Sequence, residues 1–224
     1  MNRLSDMFDL SPMVLEDVLN TDLMPKFVEG DSNYALILKM LDYDEEKDSI
    51  KAEQITIVSG GNYVLTIQER HGDVFTSLRD RIRNSKGRIR KKNNDYLMFA
   101  VLDILVDNYL ILVEKIGRKI EELESLIFKS SGEHIAEKIY RFKTELTFLR
   151  KNIRPLREIL ITLKKDERIK KENTVYINSL SDLVSQVNES IELYHGLVAD
   201  QMSTYNTLMG NRMNQIMKIL TMFS

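Results

Sequence analysis

TVYINSLSDLVSQVNESIELYHGLVADQMSTYNTLMGNRMNQIMKILTMFS, residues 174–224, contains no proline, and its only glycines are Gly196 and Gly210. Apolar side chains recur at Leu180, Val184, Val187, Ile191, Tyr194, Val198, Met202, Tyr205, Met209, Met213, Ile216, Leu220 and Phe223. The steps alternate between four and three, with a four following a four in two places. That averages close to the period of a straight α-helix. At 1.5 Å per residue such a helix is roughly 75 Å long. It is not stable alone in water, so its apolar stripe requires partners, and the expected partners are further copies of itself.

Two more helical stripes precede it. One runs from about Asp95 to Lys129 through Leu102, Leu105, Tyr109, Leu112, Ile116, Ile120, Leu123 and Ile127. The other alternates by four and three from Ile135 to Leu163. Ser130-Ser131-Gly132 between them reads as a helix stop and turn. Two stripes joined so closely predict an antiparallel coiled-coil hairpin. Pro155 inside the second should kink it. The charged run Lys164 to Asn173 reads as the loop before the last helix.

Strand signals lie nearer the start. Tyr34 to Tyr43 is an apolar run of strand length, and Ile50 to Val58 and Tyr63 to Gln68 alternate. Gly60-Gly61 permits a tight hairpin between the last two. Ser11-Pro12 is a helix start, a capping side chain followed by proline at the first helical position. Asp73 reads as the cap of an amphipathic helix through Val74, Phe75, Leu78 and Ile82.

The chain has 224 residues, 43% of them hydrophobic, with a formal charge of −2. That balance excludes wholesale disorder. The absence of cysteine excludes disulfides and thiolate metal sites. Met1 to Leu10 shows no leader pattern, and the final run from Ile216, nine residues including Lys218, falls short of the about 20 apolar residues needed to span a bilayer. The chain as given is expected to be soluble, cut from a longer protein at its most apolar point. Arg79 to Lys92 holds eight basic residues against one acidic. No aromatic platform accompanies them, so they read as a solvated helix end and loop, not a nucleic-acid surface. Enzyme readings fail on spacing: His71, His134 and His195 lie far apart, and no phosphate loop or nucleophile elbow is present.

Several segments carry a family resemblance. Asn211, Asn214, Met217, Lys218, Leu220 and Thr221 match the S-N-x-x-N-E-V-M-K-V-L-T pattern that opens the first transmembrane helix of the CorA family of divalent-cation channels. The LEDVLN of residues 15–20, with Pro25-Lys26, resembles that family's L-E-D-x-L-N and P-K. Arg154 to Leu160 (RPLREIL) resembles its W-P-L-R-E-V-L. The resemblance covers Leu10 to Ser224. It implies the cytoplasmic part of a homopentameric magnesium channel of the cell membrane, with cobalt or nickel as further ions, joined to the bilayer by C-terminal spans and binding no nucleic acid.

The fold expected is an α/β sheet domain of αβα type, incomplete at its N-terminal end, with a long coiled-coil hairpin and a very long C-terminal stalk helix. The boundaries expected are 1–94 for the sheet domain, 95–165 for the hairpin and 174–224 for the stalk. By spacing alone, Glu16, Asp17 and the i, i+4 pair Asp103 and Asp107 are solvated surface carboxylates. The resemblance implies that Glu16, Asp17 and Asp103 bind regulatory Mg2+ between subunits, an ion suited to hard oxygen ligands. The family's stalk-helix aspartate falls on Ser179, and Asp182 one turn further on is the alternative ligand. A second stripe on the last helix, Ser203, Asn206, Gly210, Asn214, Met217, Thr221 and Ser224, is small or polar, as a shared pore face would be. The family's pore-facing positions match Asn214, Met217, Leu220 and Ser224, and a pore aspartate is replaced by Ser203. The implied mechanism is gating by the transported ion. A zinc transporter of the same superfamily and a soluble coiled-coil scaffold remain the alternatives.

Overall fold

Ser11 starts the first helix, α1 (Pro12–Leu19), its side-chain oxygen accepting from the Val14 N–H at 3.3 Å with proline at the first position. The computed structural model describes residues 7–30, 32–129 and 133–223. The turn expected at Ser130-Ser131-Gly132 and the position Ser224 lie outside them, as do the first six residues.

Four strands follow, one more than the three runs predicted: β1 (Lys26–Glu29), β2 (Asn33–Asp44), β3 (Ser49–Gly60) and β4 (Tyr63–Gln68). They pair antiparallel in chain order. At four residues with a charge at each end, β1 is too short to show alternation. The β3–β4 hairpin closes where Gly60 faces Tyr63, and Gly61 takes a left-handed φ of 45°.

Strand β2 is buried over nearly its whole length, so both sheet faces must be covered. On one face, Ala35, Ile37 and Val58 pack with Val28 against Leu10 and Val14 of the α1 segment. The other face carries Leu36 and Leu38 opposite Ile57 and Ile55. Helix α3 covers that side, its Tyr109 hydroxyl donating to the Lys39 carbonyl and Asn108 Nδ2 to the Leu41 carbonyl at 2.6 Å. The αβα layering is the expected one.

The helices after the sheet are α2 (Thr76–Arg83), α3 (Asn94–Lys129), α4 (Glu133–Ile153), α5 (Leu156–Lys165) and α6 (Thr174–Phe223, 50 residues), with one 3₁₀ turn at Lys171–Asn173. Asp73 sits ahead of the helix it was expected to cap. It accepts from the Phe75 N–H at 2.9 Å and from Nη1 and Nη2 of Arg79, while α2 begins only at Thr76. At Pro155 the helix breaks instead of bending. The chain is carried across by Arg157 N–H to Arg154 O at 3.2 Å and Ile159 N–H to Pro155 O at 3.1 Å.

The chain divides into two compact units, residues 1–112 with 150–188 and residues 113–149 with 189–224. In the first, Tyr96 of α3 and Tyr176 of α6 meet edge to face at 5.0 Å. In the second, Ile116, Ile120, Leu123 and Ile127 are buried together with Ile135, Ile139, Phe142, Leu146 and Leu149 of α4 and with Ile191, Val198 and Tyr205 of α6. The α6 stripe therefore packs on the chain's own helices as far as Tyr205, where partner copies had been expected. Helix α3 also holds a window of mean hydropathy 1.9, long and apolar enough by length and composition to cross a membrane. Half of the window is buried within the chain, as suits a core helix.

Gly117 lets α3 and α6 approach closely in the second unit. A Cβ built there would lie 2.0 Å from the Tyr194 ring. Gly117→Ala should therefore lower the melting temperature: displacing Tyr194 costs about 1–3 kcal/mol, against roughly 1 kcal/mol gained in helix preference. In a Tyr194→Ala background the same change should stabilise. Thermal unfolding of the four proteins in that cycle reads the reversal of sign.

Candidate functional site

Val14 and Asp17 are three residues apart on α1, and both are buried on the sheet-facing side; Glu16 between them is exposed. Burying a carboxylate requires a partner, and Asp17 has one. Lys26 Nζ, at the first position of β1, donates to its Oδ1 at 2.7 Å. The Asp17 carbonyl accepts from Gln54 Nε2 at 2.9 Å. Lys39 extends this network, donating to Gln54 Oε1 at 3.5 Å and to the Thr21 carbonyl just past the C-terminus of α1, where positive charge is favourable. Burial, the first cause, holds its ammonium below the ordinary lysine range, with Glu69 and Asp22 opposing. Asp17 Oδ2 is buried without a hydrogen-bond partner among the described residues. An orphaned carboxylate oxygen is a hard donor with unused lone pairs, so this position fits a cation.

Asp103 lies on α3 beside a small cleft of about 140 Å³ lined also by Arg81, Tyr96, Tyr176 and Ser179. The structure thus brings Asp103 and Ser179 to one cleft. Asp182 is exposed and does not line it. Partial loss of water holds the Asp103 carboxyl above the ordinary range, and the charge of Asp107 one turn away adds to this; Arg81 opposes both. Sequence reasoning passed over the two cations, Lys26 and Arg81. One stood in a quoted motif and the other in a charged run, and neither pattern signals which acid it faces. Among the described residues no three His, Asp or Glu side chains gather as a metal site, so Glu16, Asp17 and Asp103 do not meet within one chain.

The basic run also finds acidic partners. Arg79 pairs with Asp73, Arg83 with Asp80 at 3.9 Å and Lys92 with Glu172 at 3.3 Å.

Beyond Tyr205, α6 changes character. Met213, Ile216, Met217, Ile219, Leu220, Met222 and Phe223 are 54–87% exposed. They span a broad arc of the helix, with Asn214, Lys218 and Thr221, also exposed, on the remaining side. An exposed apolar arc that broad suits an apolar surrounding.

The architecture is a four-stranded αβα layer with long helices. Solved structures share this fold. The complete structure of the CorA magnesium transporter from Methanocaldococcus jannaschii matches with a TM-score of 0.85 at 24% identity, over 99% of this chain and 70% of that one. The ZntB cytoplasmic domain from Vibrio parahaemolyticus matches with 0.74 at 17% identity, over 92% and 82%. The family model described as CorA-like Mg2+ transporter protein matches residues 1–224, and the chain belongs to that family. The cobalt/magnesium transport protein CorA of Thermotoga maritima is 37% identical over 99% of this chain. The chain spans 64% of the length of that relative.

The state of Asp103 has a measurable consequence. A carboxyl whose folded pKa is raised binds its proton more tightly folded than unfolded, so stability falls as pH rises from the ordinary value near 3.8 through the raised one. Asp103→Asn should raise the melting temperature at pH 7 in the presence of chelator. The gap between variant and parent should close below the ordinary carboxylate range, where both carry a neutral group. Melting curves from pH 3 to 7 check both points.

Proposed function

We propose that this chain is the cytoplasmic regulatory part of a homopentameric membrane channel for magnesium, with cobalt as a second ion, gated by the ion it carries. The observation that supports this best is the exposed apolar end of α6, in a chain that matches the family along its entire length. Five copies of α6 converge with Asn214, Met217, Leu220 and Ser224 inward, and further spans complete the pore in the bilayer. The name of the 37% identical relative favours magnesium and cobalt. Zinc transport rests on the 17% identical ZntB neighbour, which shows fold alone.

Regulation uses the acidic positions at the flank of the sheet domain. Glu16 and Asp17 from one subunit and Asp103 from its neighbour offer hard oxygen donors across the interface, with Ser179 or Asp182 as the third contributor. A bound divalent cation supplies the positive charge that lets these carboxylates approach one another. Without that charge the carboxylates repel, the interfaces loosen, and the α6 helices separate at the pore.

Two measurements test this reading. Sites of two or three carboxylates around a largely hydrated magnesium ion are weak, so stabilisation by magnesium should appear near millimolar concentration. Glu16→Ala with Asp17→Ala should remove most of the rise in melting temperature; a double variant that responds like the parent removes these residues from the site. In the longer protein, Asn214 would offer a ring of amide oxygens, with Met217 and Leu220 as apolar collars that close by dewetting. Met217→Ser or Leu220→Ser should leave assembly intact and leak ions in the closed state. Flux into liposomes, on protein of verified oligomeric state, reads this; lost assembly without leak makes these residues helix-packing positions instead.

A further inference from the structure

The Asp17–Lys26 pair is unequal in its two halves. The Asp17 side chain is 11% exposed and the Lys26 side chain 39%. Lys26 is fixed at its backbone by the β1–β2 ladder, opposite Ile37. Its ammonium can nevertheless turn into water without disturbing either strand. Asp17 cannot follow, because it lies on the buried side of α1 and its carbonyl is held by Gln54. Its second oxygen, Oδ2, is buried and has no hydrogen-bond partner among the described residues. One carboxylate thus carries a partly exposed cation on one oxygen and an idle acceptor on the other. Lys39, the other ammonium on this face, is committed to Gln54 and the Thr21 carbonyl.

We propose that Lys26 is a tethered competitor for the cation at Asp17: its ammonium holds the carboxylate when no divalent ion is bound, and must leave before one can. This rests on the reading of Asp17 as a metal ligand. An ammonium and a divalent ion about 4 Å apart repel strongly enough to change affinity well over tenfold, even at an effective dielectric constant near 20. Holding both on one carboxylate is therefore strongly disfavoured. Lys26 keeps the metal-free acid from being a bare buried charge, and for the same reason it raises the magnesium concentration at which the chain responds. The long lysine stem permits the exchange: the ammonium swings out on flexible bonds and remains close enough to return.

The test is a magnesium titration of the chain at constant ionic strength, reading melting temperature and trypsin resistance in the parent, Lys26→Met, Lys26→Gln and Asp17→Asn. In both Lys26 variants the half-response concentration should fall about tenfold or more, and the metal-free melting temperature should drop. Asp17→Asn should lose the response. Lys26→Gln retains a neutral donor to Asp17 and carries the test if the methionine variant does not fold. A half-response concentration unchanged or higher in the Lys26 variants, with the response lost in Asp17→Asn, overturns the competition and leaves Asp17 as a ligand. An Asp17→Asn protein that responds like the parent, or a parent that does not respond, rejects Asp17 as a ligand and the competition with it.

Discussion

Strand β2 is apolar toward both sides, and the first unit is built around that fact. Twelve residues from Asn33 to Asp44 are buried almost without interruption, so water cannot be allowed on either face of the sheet. One face takes α1 and the other takes α3, and each cover brings a carboxylate with it. Covering the first face turns Asp17 inward beside Lys26. Covering the second places Asp103 on the side of α3 away from the sheet, next to α6. The carboxylates of interest are thus set by the demand for burial, since the helices that carry them are there to exclude water from β2.

The same demand explains why neither acid stands alone. A carboxylate turned into a protein interior without compensation costs several kcal/mol, and Asp17 is compensated by an ammonium from the neighbouring edge strand. Asp103 is less enclosed and meets a weaker counter-charge from Arg81, with Asp107 working against it. The loop before α6 is tied by a comparable device. Arg168 pairs with Asp166 at 2.6 Å and Glu29 at 3.1 Å, donates to the Gly30 carbonyl at 3.0 Å, and lies over the Tyr34 ring. The guanidinium plane suits such a convergence of oxygens and an aromatic face.

What could be read from residues alone was whatever has a period or a local signal. The α6 stripe, the β2 to β4 runs, the Ser11-Pro12 start and the glycine hairpin all repeat or close over a few positions, and each appears in the fold. Strand β1 did not announce itself, because Lys26 to Glu29 offers two apolar residues between charges. Asp73 was misplaced as a cap because an Asp two residues ahead of a helix resembles one at its boundary. The α6 stripe was legible but its partner was not, since periodicity states that a face is buried and not what buries it. At the site, Glu16 and Asp17 stood out through a motif. Their environments, one exposed and one buried beside Lys26, depended on pairing between α1 and a strand nine residues further on, which no local pattern encodes. Ser179 proved to share a cleft with Asp103 through the Tyr96–Tyr176 contact, again a matter of packing.

The close approach at Gly117 has a mechanical side. Tyr194 occupies a notch that exists only where α3 lacks a Cβ. Seven residues further along α6, Gln201 Nε2 grips the Ile120 carbonyl at 2.7 Å in a buried setting. The two contacts advance in the same direction along both helices, so here α6 runs parallel to α3. Shifting α6 along its axis by one turn would press the tyrosine ring against a side chain and strip Gln201 of its carbonyl at the same step. The two helices therefore behave as a shaft held by a detent. Within this bundle the two contacts oppose axial slip of α6 along α3.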